Sequence, residues 1–221
     1  LGSEICGAAN FSIPAARDWA LKYALDNGYQ VLIFIDADDV MALDRVEKTK
    51  GFFKNAKREV AFGYTELFIL GNPERDFFLG RLPDTLSGNS ELMDSNFVGL
   101  SHFAVDITKC ASFISLLDSP DSLIAYDWYL AFLLLANGYQ GGKVGTRTYY
   151  RIHSENTAGD TSSQSKIVFE KTVRVKVCHY EALKYYFLRS LKANSSRLFG
   201  DVEDRLKYYA CLEQQIDGGE D

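Results

Sequence analysis

The first regular pattern along the chain is helical: Ala16, Ala20 and Tyr23 recur one turn apart, with Trp19 beside them. Ser12 stands where a cap is needed, Pro14 suits a first turn, and Asp18 lies toward the positive end of the helix dipole. Asn27 and Gly28 supply the stop. Val31 to Ile35 then forms an unbroken apolar run of strand length, which predicts a central strand covered on both faces and hence an α/β sandwich. The run ends abruptly in Asp36, Ala37, Asp38 and Asp39. A second helix is predicted over Leu43 to Asn55, and a strand near Val60 to Phe68.

From Gly71 to Ser95 the periodicity is lost, and the prolines and glycines there predict a long excursion over the surface. A short strand around Phe97 to Leu100 and a helix near Thr108 to Leu117 are expected next. Asp127 to Ala136 is strongly helical and closed by Asn137 and Gly138, and Gly141 to Tyr150 predicts another short strand. Beyond Ser165 the pattern becomes two tyrosine-rich helices, roughly Ser165 to Ala193 and Asp201 to Gln215, joined by a turn over Asn194 to Gly200. The tail from Asp217 is expected to fray.

A length of 221 residues with 47% hydrophobic positions is enough for a full core. The net charge of -6 argues against nucleic acid as the main partner, because phosphate backbones select basic surfaces. Cys6, Cys110, Cys178 and Cys211 form no CxxC pair, which fits reduced thiols of a cytoplasmic protein better than a disulfide framework. No apolar run reaches membrane-span length.

The acids after Ile35 change the picture most. Ligands of open α/β sheets collect beyond the carboxyl ends of the strands, and three carboxylates this close repel one another unless a cation intervenes. Mg²⁺ takes one or two carboxylates and completes its shell with water and phosphate oxygens. Strand geometry would send Asp36 and Asp38 to opposite faces, so the chain must bend for both to serve one site. Without a ligand, the same residues read as a solvated turn capping the next helix.

Four segments in order resemble the family 2 glycosyltransferases of the GT-A fold, in particular bacterial rhamnosyltransferase-like members. They are NFSIPAARDWA from Asn10, GYQVLIFIDADD from Gly28, YDWYLAFLLLANG from Tyr126 and YRIHSENTAG from Tyr150. The resemblance spans about residues 8 to 160. Tyr126 replaces the usual Glu and Asp18 the usual Asn. It implies an α/β, GT-A-like mixed sheet sandwiched by helices over residues 1–160 and a C-terminal helical extension over 161–221. The βα units that normally precede Asn10 are expected to be missing, which would leave sheet edges for the aromatic C-terminal helices or a homodimer through them to cover.

Residue by residue, the resemblance implies that Asp36 and Asp38, with Asp39 close by, hold Mg²⁺ or Mn²⁺ and the donor diphosphate, with His153 completing the metal site. Arg17 and Arg151 would contact the nucleotide-sugar. Asp127 would be the catalytic base, and Gly99, Ser101 and Trp128 would line the acceptor side. The implied substrates are a nucleotide-diphosphate sugar and a saccharide or lipid-linked glycan acceptor, at the inner face of the membrane or in the cytoplasm. The chemistry suits these types, since an inverting transfer needs one free carboxylate to take the acceptor proton while a cation stabilises the leaving diphosphate. Read singly, each has a plainer role: Asp127 as a helix-start charge, His153 as a hydrogen-bond partner, Arg17 as a surface charge, and Trp19 and Trp128 as helix packing.

Two other functions remain open at this point. FIDADDV from Phe34 is similar to the nucleophile strand of haloacid-dehalogenase-type phosphatases, with Asp36 as nucleophile and Asp38 as acid/base, although no convincing later acidic pair accompanies it. The second is a non-catalytic GT-A remnant that binds carbohydrate or protein.

Overall fold

In the computed structural model, which describes residues 11–152, 166–190 and 196–218, helices and one curled mixed sheet share a single core. Helix α1 spans Ile13–Asp26, and Ser12 Oγ accepts the Ala15 amide at 3.3 Å. Asn27 ends it and Gly28, at φ 71°, turns the chain out. Strand β1, Val31–Ile33, is shorter than expected and stands at an edge of the sheet, with all three residues only half-buried. The expected central strand is therefore corrected: an apolar run fixes hydrophobicity but not the number of neighbours.

The order across the sheet is β1-β6-β3-β7-β2. Here β2 is Val40–Met41, β3 Val60–Ile69, β6 Phe103–Asp106 and β7 Gln140–Tyr150. Strands β1 and β3 both pair antiparallel with β6, and β3 pairs parallel with β7, so β1, β3 and β7 run the same way. Two glycines allow the β3–β7 pairing: a Cβ on Gly141 would lie 2.1 Å from the Phe62 ring, and one on Gly142 2.8 Å from Phe52.

The stretch from Gly71 is not wholly irregular. It contains β4 (Asn72–Asp76) against β3, β5 (Thr85–Leu86) against β7, and a 3-10 turn at Asn89–Leu92. The strand expected at Phe97 to Leu100 lies later, at β6. Asn96 to His102 is spent on a loop and a 3-10 turn over Leu100–His102, in which the Val98, Gly99 and Leu100 amides donate to side chains rather than to a neighbouring strand. Helix α2 covers Arg45–Asn55, and Lys109 Nζ ties the turn after it by donating to the Lys57 and Val60 carbonyls at 3.2 and 3.0 Å. Helix α3, Ala111–Ile114, is a single turn.

Helix α4, Tyr126–Ala136, is apolar all round and has nine buried residues, the expected pattern for a helix covered on every side. Helices α5 (Lys166–Arg189) and α6 (Ser196–Asp217) pack on each other, and α5 packs onto α4. Gly200 falls inside α6 rather than in the turn before it. Tyr180, Leu183, Phe187 and Val202 join the same hydrophobic cluster as Phe62, Phe103 and α4. Cys110, Cys178 and Cys211 are free thiols. Among the described residues no helix is long and apolar enough to cross a membrane.

Candidate active site

The carboxyl ends of β1 and β7 and the start of β6 meet at one edge of the sheet. β1 makes one further ladder bond, from the Phe34 amide to the Phe103 carbonyl at 3.0 Å, and the chain then bends. The Asp39 amide donates to the Asp36 carbonyl at 3.2 Å, which closes a tight turn. The chain thus leaves strand geometry at Asp36. Two outside groups hold the turn. The Asp36 amide donates to Ser101 Oγ at 2.8 Å, and Arg151 gives its amide to Asp39 Oδ1 at 2.8 Å and its Nε to the Asp38 carbonyl at 3.1 Å.

Beneath the turn lies Arg45, fully buried. Its Nη1 donates to the Ser101 carbonyl at 2.6 Å and to Thr148 Oγ1 at 2.8 Å, and its Nη2 to the Phe34 carbonyl at 2.9 Å. One planar fork thus ties β1, the Ser101 turn and β7 together, a task suited to guanidinium. Burial pulls its pKa down to about 10, opposed by the nearby Asp39 charge. The Asp39 carboxyl moves the other way: burial raises it, Ser101 and the Arg151 amide oppose the rise, and Asp38 and Asp36 add to it. Asp39 Oδ2 is buried and accepts no hydrogen bond of ordinary geometry.

Asp127 enters from the first turn of α4. Its Oδ2 accepts the Leu100 amide at 3.0 Å, and its Oδ1 accepts Asn96 Nδ2 at 3.1 Å and the Trp128 amide at 2.7 Å. Residues 100 and 101 therefore hold the base candidate and the acidic turn, respectively, from adjacent positions. Burial raises the Asp127 carboxyl above its ordinary value despite those donors and the Arg17 charge. Desolvation outweighs the helix-start field that would favour the anion.

His102 completes this segment. It is buried, with Nδ1 2.6 Å from the Thr65 carbonyl and Nε2 accepting the Gly99 amide at 2.7 Å. Burial lowers its pKa to about 4, so it is neutral near pH 7 with its proton on Nδ1.

Two neighbouring pairs of residues interlock α1 with α4. The Arg17 guanidinium lies 5.5 Å from the Tyr126 ring centroid, and the Tyr126 hydroxyl donates to Asp18 Oδ1 at 2.8 Å. Asp18 also accepts the Ser119 amide and hydroxyl, at 2.7 and 2.9 Å. So Asp18 is a buried anchor for the loop before α4, not a dipole-facing charge, and burial raises its pKa.

No protein-family model and no curated protein matches this chain.

Hydrogen bonds thus link the segments that carry Asp36, Asp38, Gly99, Ser101, Asp127 and Arg151, and Arg17 acts on Asp127 through its charge. Trp128 stands apart from any acceptor side. It is 2% exposed, its Nε1 donates to the Leu92 carbonyl at 2.6 Å, and its indole stacks on His179 at 3.8 Å. Its expected lining role is corrected to helix packing. Ser101, at 4% exposure, supports the acidic turn from below instead of lining a pocket. Gly99 does face Asp127: a Cβ there would lie 3.9 Å from Oδ2. His153 lies outside the described residues, and among those described no three acid, histidine or cysteine side chains converge at metal-ligand spacing.

Sequence reasoning missed Arg45 and gave His102 no role. Arg45 follows an acid at a helix start and reads as a surface charge, and nothing local marks it as buried.

Proposed function

We propose that this chain carries the sugar-transfer site of a metal-dependent, inverting glycosyltransferase with a GT-A-like fold. It would act on a nucleotide-diphosphate sugar and a saccharide acceptor. The observation that carries this reading is the two-residue bridge Leu100–Ser101, which holds the single carboxylate of Asp127 beside, but separate from, the acidic turn. Transfer needs that division of labour.

The acids fit a divalent cation. Asp36, Asp38 and Asp39 share one tight turn, and Asp39 Oδ2 is buried with no hydrogen bond of ordinary geometry. Asp36 and Asp38 would bind Mg²⁺ or Mn²⁺, with Asp39 behind them and His153 as a further ligand. The ion would supply positive charge to the diphosphate as it leaves.

The protein's own contribution lies at Asp127. Three donors occupy its oxygens, two on Oδ1 and one on Oδ2, so Oδ2 keeps a lone pair for an acceptor hydroxyl. As the acceptor oxygen bonds to the anomeric carbon, its proton passes to Asp127. The carbon–oxygen bond to the diphosphate breaks and the leaving group takes the electron pair. A carboxyl raised by burial is the better base for this step. Arg17, half-buried above Tyr126, adds positive charge on the donor side.

Paramagnetic broadening tests the metal assignment. Mn²⁺ added to the ¹⁵N-labelled protein should erase the amide signals of residues 36–39, 101 and 151 first. Uniform broadening across the surface would contradict it.

A further inference from the structure

On the Asp18 side of Tyr126, a cleft of about 640 Å³ opens between α1, the loop over residues 118–122 and α5. Its walls are partly aromatic. Phe11 and Trp19 stack at 6.5 Å and 27°, and Tyr185 stands on α5; Phe11 and Tyr185 are each about half exposed. The polar lining is acidic: Asp118, Asp121 and Glu181, with Asp18 at the base, against Lys22 as the one cation among the described lining residues.

These groups are held in place before any ligand arrives. Asp18 is fixed by Ser119 and Tyr126, and Ser12 Oγ donates to Asp121. Arg189 pairs with Asp118 at 3.0 Å, donates to the Tyr185 hydroxyl at 2.5 Å and lies 5.0 Å over its ring. Preorganised side chains lose little freedom on binding.

The lining selects a ligand chemistry. An excess of carboxylates repels phosphates, so the cleft does not extend a nucleotide site. Rings that present apolar faces, flanked by strong acceptors, suit a ligand with flat C–H faces and many hydroxyl donors. We infer that this cleft binds a neutral oligosaccharide, which stacks on Trp19 and Tyr185 and donates hydroxyls to Asp118, Asp121 and Glu181. As a place for outer residues of an acceptor glycan, the cleft rests on the transferase reading; as a saccharide site it does not.

The chain's two tryptophans make the test direct. Trp19 lines the cleft, whereas Trp128 is buried with its Nε1–H on the Leu92 carbonyl. The two indole N–H signals of the ¹⁵N-labelled chain are followed while maltotriose, cellotriose and chitotriose are added in turn, with spermidine as a cationic control. At least one sugar should shift the Trp19 signal saturably and leave Trp128 in place. Tyr185→Ala and Asp121→Asn should each weaken that binding about tenfold, with Trp128 reporting that the variants stay folded. No Trp19 shift with any sugar, a shift with spermidine alone, or binding undiminished in both variants would overturn the inference. Adding UDP, GDP or dTDP with Mg²⁺ to the same samples separates the two readings, because nucleotide binding reports on the acidic turn and sugar binding on the cleft.

Discussion

The Gly99 amide donates to His102 Nε2 at 2.7 Å, and the amide after it, Leu100, donates to Asp127 Oδ2. The buried imidazole thus sets the segment that orients the base candidate. His102→Leu should leave the Gly99 amide unpaired, cost about 1–3 kcal/mol and shift the Asp127 titration measured by carboxyl ¹³C NMR. His102→Gln, which offers an acceptor and a donor, should restore part of both. An unchanged Asp127 titration in His102→Leu would show that the imidazole does not act on the base.

Acid should weaken the fold through the two buried neutral histidines. Burial depresses His102 to about 4 and His179 to about 3. Between the ordinary value of 6.5 and these pKa values the unfolded chain binds more protons, so stability falls as pH drops through that window. Asp18, Asp39 and Asp127 act in the opposite sense, since their raised carboxyls favour the folded state at low pH and lose that contribution as pH rises through their folded values. Urea titrations from pH 7 to pH 4 read the balance of the two, so the histidine contribution is the part that changes when a single histidine is replaced.

His179 is the better place to isolate the effect. Neither ring nitrogen has a partner, and in the core the ring stacks on Trp128 and meets Phe132 edge to face. His179→Phe should stabilise the protein by about 1 kcal/mol at pH 7, and by more at pH 5. Destabilisation would point to a bound water on the imidazole.

The sequence made the helices and the acidic turn legible because each carries its own local signals: Ser12 and Gly28 around α1, and the apolar run of α4 ahead of Asn137 and Gly138. The resemblance grouped Asp36, Asp38, Asp127 and Arg151, and hydrogen bonds of Leu100, Ser101 and Arg151 join the segments that carry them. What the sequence could not show depends on long-range partners. The Val31 run looks the same at an edge as at the centre of a sheet. Arg45 is buried only because carbonyls 56 and 11 positions away in the chain converge on its fork. Trp128, next to Asp127 in sequence, points the other way because neighbours on a helix share no face.

Arg45→Met should destabilise the chain by about 3 kcal/mol or more, since two buried carbonyls and Thr148 lose their donor. Arg45→Lys should recover only part of that, because an ammonium cannot span the same acceptors. Equal midpoints of the two variants in urea would contradict a role for the fork.

In α4, Leu133→Ala opens a cavity at a fully buried position and should cost about 2–5 kcal/mol. Leu188→Ala, at an exposed α5 site, should change stability by less than about 0.5 kcal/mol. Similar losses would mean that α5 buries Leu188 against another surface.

Calorimetry of nucleoside diphosphate binding is the most direct measurement. UDP, GDP and dTDP are titrated into the chain with and without Mg²⁺, and into Asp38→Ala and Asp127→Asn. One nucleotide should bind only with the ion, lose that binding in Asp38→Ala and keep it in Asp127→Asn. Metal-independent binding that both variants share, or its loss in Asp127→Asn alone, would contradict the division between a metal-holding turn and a separate base.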